Sequence, residues 1–257
     1  VLGEHRNEDV VGRDLVLVAA GVPYDSPFIT VAEVAGVPLK QSAALFAELA
    51  KIPVIGVTGT RGKSTVTGMI HHVLQFVTGE PVLLGGNIRG VSNLQLLKDV
   101  KEDSVAVMEL DSWQLQGWGW AEMSPQISVF TNFMEDHLNY YQREGMTKEE
   151  GMERYFADKA NIFRYQEESG VLVTTPAVFE QISHYLPRVT LGQEVVLADA
   201  SVIPEDCLLA MPGEHNRLNA ALTYEALKVI SLSDEEIFEG LASFGGVEGR
   251  LQLVKTV

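Results

Sequence analysis

Between Val54 and Thr131 the chain carries three nearly unbroken apolar runs, Val54–Thr58 (VIGVT), Ser104–Leu110 (SVAVMEL) and Gln126–Thr131 (QISVFT), each leading into a loop or helix. A half-exposed strand alternates apolar and polar positions, so runs without alternation predict strands covered on both faces of a parallel sheet. Upstream, Asp14–Ala20 (DLVLVAA) predicts another strand. Ser26-Pro27 predicts a short helix over 28–35, with serine as N-cap and proline in the first turn. Helical patterning returns at Ser42–Ala50. A long helix is predicted to open at Gly213-Glu214-His215-Asn216 and run through Ile230, and Ser233-Asp234-Glu235-Glu236 caps another. Arg250–Val254 reads as the start of a new strand.

Strand and helix alternating in this way predict an α/β fold with a mostly parallel, doubly wound sheet. Residues 1–50 read as the last part of a Rossmann-like unit, 51–247 as a complete nucleotide-binding unit, and 248–257 as the start of a third. There is no repeat, heptad or low-complexity tract.

With 257 residues, 46% of them hydrophobic, the chain can bury a sizeable core. Its 35 acidic against 19 basic residues give a formal charge of -16, which argues against nucleic-acid or anionic-membrane partners and leaves small molecules. No apolar run reaches the ~18 residues of a membrane helix. Cys207, the single cysteine, excludes an internal disulfide and fits a reducing cytoplasm. Val1 follows no initiator methionine and no basic leader, so the sequence is expected to be an excised piece.

The densest chemistry lies in VIGVTGTRGKSTVTGMIHHVL, Val54 to Leu74. Gly59 and Gly62 allow a tight turn with N–H groups facing inward, and the helix that follows points its positive end at the same spot. Lys63 supplies a point charge for β/γ-phosphates, and a hydroxyl of Ser64 or Thr65 suits Mg²⁺. The segment Gly59-Thr60-Arg61-Gly62-Lys63-Ser64-Thr65 therefore reads as a nucleoside triphosphate loop. Its spacing is short, because the general G-x-x-x-x-G-K-[ST] pattern would place its first glycine at Val57. A ligand-free turn would need neither the lysine nor the tandem hydroxyls.

Ligands of open α/β sheets sit beyond the carboxyl ends of the strands. Three such ends stand out: Thr58, Glu109, and Asn132 leading into Met134-Glu135-Asp136-His137. A loop hydroxyl, the Glu109 carboxylate and the His137 imidazole would together make a Mg²⁺ site. Taken singly, Glu109 reads equally as a cap or ion-pair partner and His137 as a structural histidine. Lys159, in a helical stretch with an aromatic face, reads alone as a surface lysine paired with Asp158 or Glu153. Asn216 and Asn219 share one helix face and fit an adenine edge, although Asn216 also fits a cap. Trp113, Trp118 and Trp120 read as a substrate wall or as buried loop anchors.

In order along the chain stand AAGVPYDSP, GVTGTRGKST, GGNIRG, VMELDSWQLQ, TNFMEDHLNYY, ADKANIF, MPGEHNRLNAALTYEAL and SFGGVEGRLQLV. With these eight motifs the chain resembles the Mur ligases, the ATP-dependent amide ligases of peptidoglycan precursor synthesis, over essentially its whole length. It is most similar to the branch that adds D-glutamate to UDP-N-acetylmuramoyl-L-alanine through an acyl phosphate. The resemblance implies a cytoplasmic monomer acting on those two small molecules and ATP. It assigns the loop from Gly59 to Thr65 to the ATP phosphates, with Lys63, Glu109, His137 and Lys159 catalytic and Mg²⁺ held by Ser64, Glu109, His137 and Lys159, the lysine as a carbamate. It also assigns Asn87 and Gln114 to the muramoyl substrate, and Asn216, Asn219 and Arg250 to the nucleotide. Arg61, Asp111 and Gly249 depart from the branch, which uses asparagine, serine and histidine at those places. The alternatives it leaves are a folylpolyglutamate or poly-γ-glutamate synthase of the same superfamily, or a nucleotide-binding module without ligase activity.

Overall fold

The computed structural model describes residues 6–23 and 25–247. Two parallel strands, β1 (Val16–Leu17) and β2 (Leu39–Lys40), flank helix α1 (Pro27–Val34) and form a small sheet of their own. The strand expected over 14–20 contracts to two residues because only β2 pairs with it, at Val16↔Leu39 and Leu17↔Lys40. Ser26 precedes α1 as expected, but its side chain makes no capping bond.

After α2 (Ser42–Ala50), strand β3 (Val54–Thr58) enters a second, six-stranded sheet and leads into α3 (Lys63–Thr78). There follow β4 (Leu83–Gly86), β5 (Ala106–Glu109), α4 (Ser112–Trp120), β6 (Ile127–Phe130), α5 (Leu138–Tyr141) and α6 (Lys148–Ala160). The described chain closes with β7 (Val171–Thr174), α7 (Pro176–Tyr185), β8 (Glu194–Leu197), α8 (Glu214–Val229) and α9 (Asp234–Ser243). Helix α8 stops one residue short of the expected Ile230, which serves as its C-cap. Helix α9 starts on the expected Ser233 capping box. Arg250 and the strand expected after it lie outside the described residues.

The strand order is β4-β5-β3-β6-β7-β8 and every pairing is parallel. From β3 the chain crosses to β4 at one edge and returns through β5 beside β3, then builds to the other side through β6, β7 and β8. This reversal makes the end of β3 the switch point at which such sheets bind ligands. All four residues of each of β5, β6 and β7, and all five of β3, are buried, as their unbroken apolar runs require.

Successive side chains on these strands enter different cores. Val54, Ala106, Met108, Phe130 and Leu172 face a core shared with α2, α4, α6 and α7. Ile55, Val57, Val107, Val129 and Val173 face one shared with α3, α8 and α9. Helices on both faces make three layers and leave the carboxyl-end rim of the sheet to its loops. Trp113, Trp118 and Trp120 all lie on helix α4, not in a loop. Trp118 is buried in the first core.

Candidate functional site

The loop between β3 and α3 is held in place by the end of β6. Thr60 N donates to Asn132 O at 2.9 Å and Arg61 N to Asn132 Oδ1 at 2.9 Å. Thr131 Oγ1 and Asn132 Nδ2 in turn donate to Arg61 O, at 2.5 and 3.0 Å. Thr60 Oγ1 donates to Met134 O at 3.2 Å and accepts from Met134 N at 3.0 Å. Two glycines make this course possible. Gly59 has φ +148°, and a Cβ there would collide with Thr131 Oγ1; Gly62 has φ +82°, and a Cβ there would lie 2.7 Å from Asn219 Oδ1. Gly62 caps α3 without a side chain, so the first N–H groups of that helix face the loop's interior.

Lys63, the first residue of α3, folds back to donate to Gly59 O at 3.0 Å and Thr60 O at 3.1 Å. Thr60, Arg61, Gly62, Lys63, Ser64 and Thr65 line a cavity of about 180 Å³, whose other wall is Asp136 and His137. Cavity size, inward N–H groups, a lysine and two hydroxyls suit a chain of phosphates.

His137 has φ +53° and stands at the N-terminal cap position of α5. Its ring lies 4.7 Å from that of Trp113 and 5.8 Å from that of Tyr155. Tyr155 OH approaches Thr60 Oγ1 at 3.4 Å, and burial raises its pKa to about 12.

Lys159 is 1% exposed, so the surface-lysine reading of the sequence is overturned. From α6 its Nζ passes beneath the loop and donates to Gly59 O at 2.7 Å and Thr58 Oγ1 at 3.5 Å, 4.9 Å from the centre of the Tyr155 ring. Asp158, its expected partner, instead accepts from Gln116 Nε2 at 2.8 Å. Burial first, and the charge of Lys63 second, hold the Lys159 pKa well below the ordinary lysine value, against the pull of Asp111, Asp136 and Asp158.

One strand over, Glu109 is 4% exposed at the end of β5, its main-chain O accepting from Asn87 N at 2.7 Å. Asn87 itself is exposed just beyond β4. Gln114 is buried on α4, and its Oε1 has no hydrogen-bond partner. Asp111 accepts from Gln114 N at 2.8 Å as the N-cap of α4, a role serine and aspartate share. Glu109, Lys159, Asn87 and Gln114 do not line the cavity. Among the described residues no three His, Cys, Asp or Glu side chains form a metal cluster.

Asn216 and Asn219 lie on one face of α8, joined by Asn219 Nδ2 donating to Asn216 Oδ1 at 3.2 Å. Gly213 is the cap of α8, so the capping alternative for Asn216 does not hold; its Nδ2 donates to Pro212 O at 3.0 Å. Asn219 flanks Gly62. A larger cavity of about 1010 Å³ opens beyond Thr131 and Asn132, over the ends of β7 and β8 and beside His215 and Arg217; neither asparagine of α8 lines it. No helix among the described residues is long and apolar enough to cross a membrane.

Asn132 stands at a strand end that the sequence singles out, whereas Thr131, Asp136 and Tyr155 were given no role there. Thr131 and Asp136 flank that strand end and were open to notice as polar residues beyond the apolar run of β6; Tyr155 carries no signal apart from the core periodicity of α6.

Residues 57–185 match the Mur ligase middle domain. A UDP-N-acetylmuramoylalanine–D-glutamate ligase of Sphingopyxis alaskensis is 34% identical over 98% of this chain and 56% of its own. The enzyme of that name from Listeria monocytogenes is 30% identical over 95% of this chain and 54% of its own. The chain thus spans about half the length of the curated relatives it matches. Among solved structures, the UDP-N-acetylmuramate:L-alanyl-gamma-D-glutamyl-meso-diaminopimelate ligase of Neisseria meningitides superposes with a TM-score of 0.61 at 15% identity, covering 91% of this chain and 80% of that one. At that identity the likeness speaks for the fold.

Proposed function

Because the chain belongs to the Mur ligase family, we propose that it is the nucleotide-binding part of an ATP-dependent ligase joining D-glutamate to UDP-N-acetylmuramoyl-L-alanine. The observation that carries this reading is the phosphate-sized cavity at the switch point of the sheet, with Lys63 at the head of α3 and Lys159 buried beneath the loop.

A carboxylate is a poor acyl donor. Transfer of the γ-phosphoryl group of ATP to it releases ADP and leaves an acyl phosphate; attack by an amine then forms the C–N bond, releases phosphate and sheds a proton. In this chain the N–H groups of the loop and of α3 bind the phosphates, and Lys63 offsets negative charge as oxygens crowd together. The family likeness gives Asn216 and Asn219 to the adenine, Asn87 and Gln114 to the muramoyl substrate, and Arg250 to the nucleotide.

The donors available for Mg²⁺ are hard oxygens, the hydroxyls of Ser64 and Thr65 and the Glu109 carboxylate, with His137 beside the loop. With no cluster of three acidic or histidine ligands among the described residues, these donors would fit an ion that keeps waters and phosphate oxygens. Mg²⁺ so held would neutralise phosphate charge.

Lys159 completes this set as a carbamate. Its neutral amine adds CO₂, forming an N–C bond and losing one proton. The remaining N–H would keep its bond to Gly59 O, and the carbamate would add two hard oxygen donors for Mg²⁺. The neutral amine is the form that reacts, and the lowered pKa of buried Lys159 makes it more accessible.

A monomeric, cytoplasmic enzyme is part of this reading. The test is phosphate release by the intact protein with ATP, Mg²⁺ and D-glutamate, offering UDP-N-acetylmuramoyl-L-alanine, a folate or a γ-glutamyl peptide as acceptor. Release that requires the muramoyl substrate, and disappears in Lys63→Ala, is expected. Release with a folate or γ-glutamyl acceptor instead would move the assignment to the sister ligases, and none with any acceptor would overturn it.

A further inference from the structure

The loop residue Arg61 is anchored and free at once. Three hydrogen bonds with Thr131 and Asn132, one donated by Arg61 N and two accepted by Arg61 O, fix its main chain. Its side chain is 72% exposed and pairs with Asp136, the guanidinium 3.7 Å from Oδ2. Asp136 is the better fixed partner. Its side chain is 29% exposed, and its Oδ1 accepts from His137 N at 2.9 Å in the left-handed turn that starts α5.

Asp136 lines the cavity that is to receive phosphates. A carboxylate there repels a multiply charged anion unless a cation stands between them. Lys63 bonds to two carbonyls of the loop, and its charge goes to the phosphates. Arg61 already meets Asp136, and a guanidinium has five donors in a planar fork, enough to hold two anions at once where an ammonium offers a single point charge. The existing pair is long and solvent-screened, so rearranging it costs little. Asn219 flanks the loop at Gly62, on the adenine side of the proposed site. Asp136 and His137 form the cavity wall that faces the loop, and the bridge requires the far end of the phosphate chain to lie there.

The geometry points to Arg61 as a specificity residue for triphosphates, its guanidinium bridging the Asp136 carboxylate and the outermost phosphoryl group of the nucleotide. This rests on the nucleotide reading of the cavity. A diphosphate ends short of the bridge and leaves Arg61 paired with Asp136 alone, so the preference for triphosphate over diphosphate is set here.

The experiment is calorimetric titration of the intact protein, with Mg²⁺, by a non-hydrolysable ATP analogue and by ADP. Arg61→Ala is expected to weaken the triphosphate about tenfold or more and ADP less than about twofold. Asp136→Asn, which keeps an acceptor for His137 N, tightens the triphosphate, and the double variant regains most of what Arg61→Ala loses. Arg61→Lys recovers little. Equal losses for both nucleotides in Arg61→Ala, full recovery with lysine, or a double variant no better than Arg61→Ala would overturn the bridge and leave the nucleotide site standing. Absence of binding by the unsubstituted protein would overturn the nucleotide reading itself.

Discussion

Gly59→Ala is the sharpest test of how the loop is built. Its φ of +148° is a conformation that residues with a side chain rarely adopt, and forcing one there costs about 1–3 kcal/mol. The new Cβ would also collide with Thr131 Oγ1 and come within 3.2 Å of Asn132 N and O. Thr131 is 1% exposed at the end of β6, so it has little room to retreat. Overpacking of this kind adds about 1–3 kcal/mol, and loss of the Thr131–Arg61 bond about 1 more. The sum is about 3–7 kcal/mol. For a chain of this size that lowers Tm by about 6–28 °C, at about 2–4 °C per kcal/mol. Gly90→Ala is the control: Gly90 also has positive φ, at +80°, but nothing lies within 4 Å, so it meets backbone strain without a collision. Thermal melts of both variants isolate the contact, and adding Thr131→Ala to Gly59→Ala should restore part of the loss. A Gly59→Ala melt no lower than that of Gly90→Ala would refute the close packing of the loop on β6.

Lys159→Ala in the intact protein is expected to cut ligation about a hundredfold, with partial return on adding short carboxylic acids that fill the vacated oxygen positions; near-normal turnover without acid would return Lys159 to a purely structural role. Stability on the acid side should depend on His71. Burial lowers its pKa below 6.5, against the opposing bond between Nε2 and Val82 O at 2.9 Å. The unfolded chain therefore takes up a proton more readily, so this histidine costs stability as pH falls from 6.5 through the folded pKa, and the cost is relieved as pH rises again. His71→Gln should flatten the change in urea midpoint between pH 8 and pH 5, and an unchanged slope would assign the acid sensitivity elsewhere.

The loop, and the strands that bring its neighbours together, were legible because buried parallel strands and phosphate turns both constrain composition strongly. VIGVT followed by GTRGKST permits few other folds. Strands β4 and β8 were not legible. β4 is LLGG, whose two glycines hide its patterning, and β8 is an edge strand with no fully buried residue. The strand at 14–20 was overestimated because apolar content predicts burial, whereas strand length depends on how many neighbours pair with it. Lys159 misled for a different reason. A lysine beside an aspartate ordinarily marks a surface, and only Tyr155, Phe156, Ile162 and Phe163 around it, all buried, hint that this turn of α6 faces inward. The Asp136–Arg61 contact joins residues 75 apart and required the β3–β6 pairing to be known first.

The central claim is that γ-phosphoryl transfer to a carboxylate precedes amide formation in the site that Lys63 and its loop create. The most direct measurement uses UDP-N-acetylmuramoyl-L-alanine labelled with ¹⁸O in its carboxylate, turned over by the intact protein with ATP and D-glutamate. An acyl phosphate carries one carboxylate oxygen into the leaving group, so the account predicts one ¹⁸O in the inorganic phosphate released with each amide bond. Amide product accompanied by unlabelled phosphate, or by label in AMP, would contradict it.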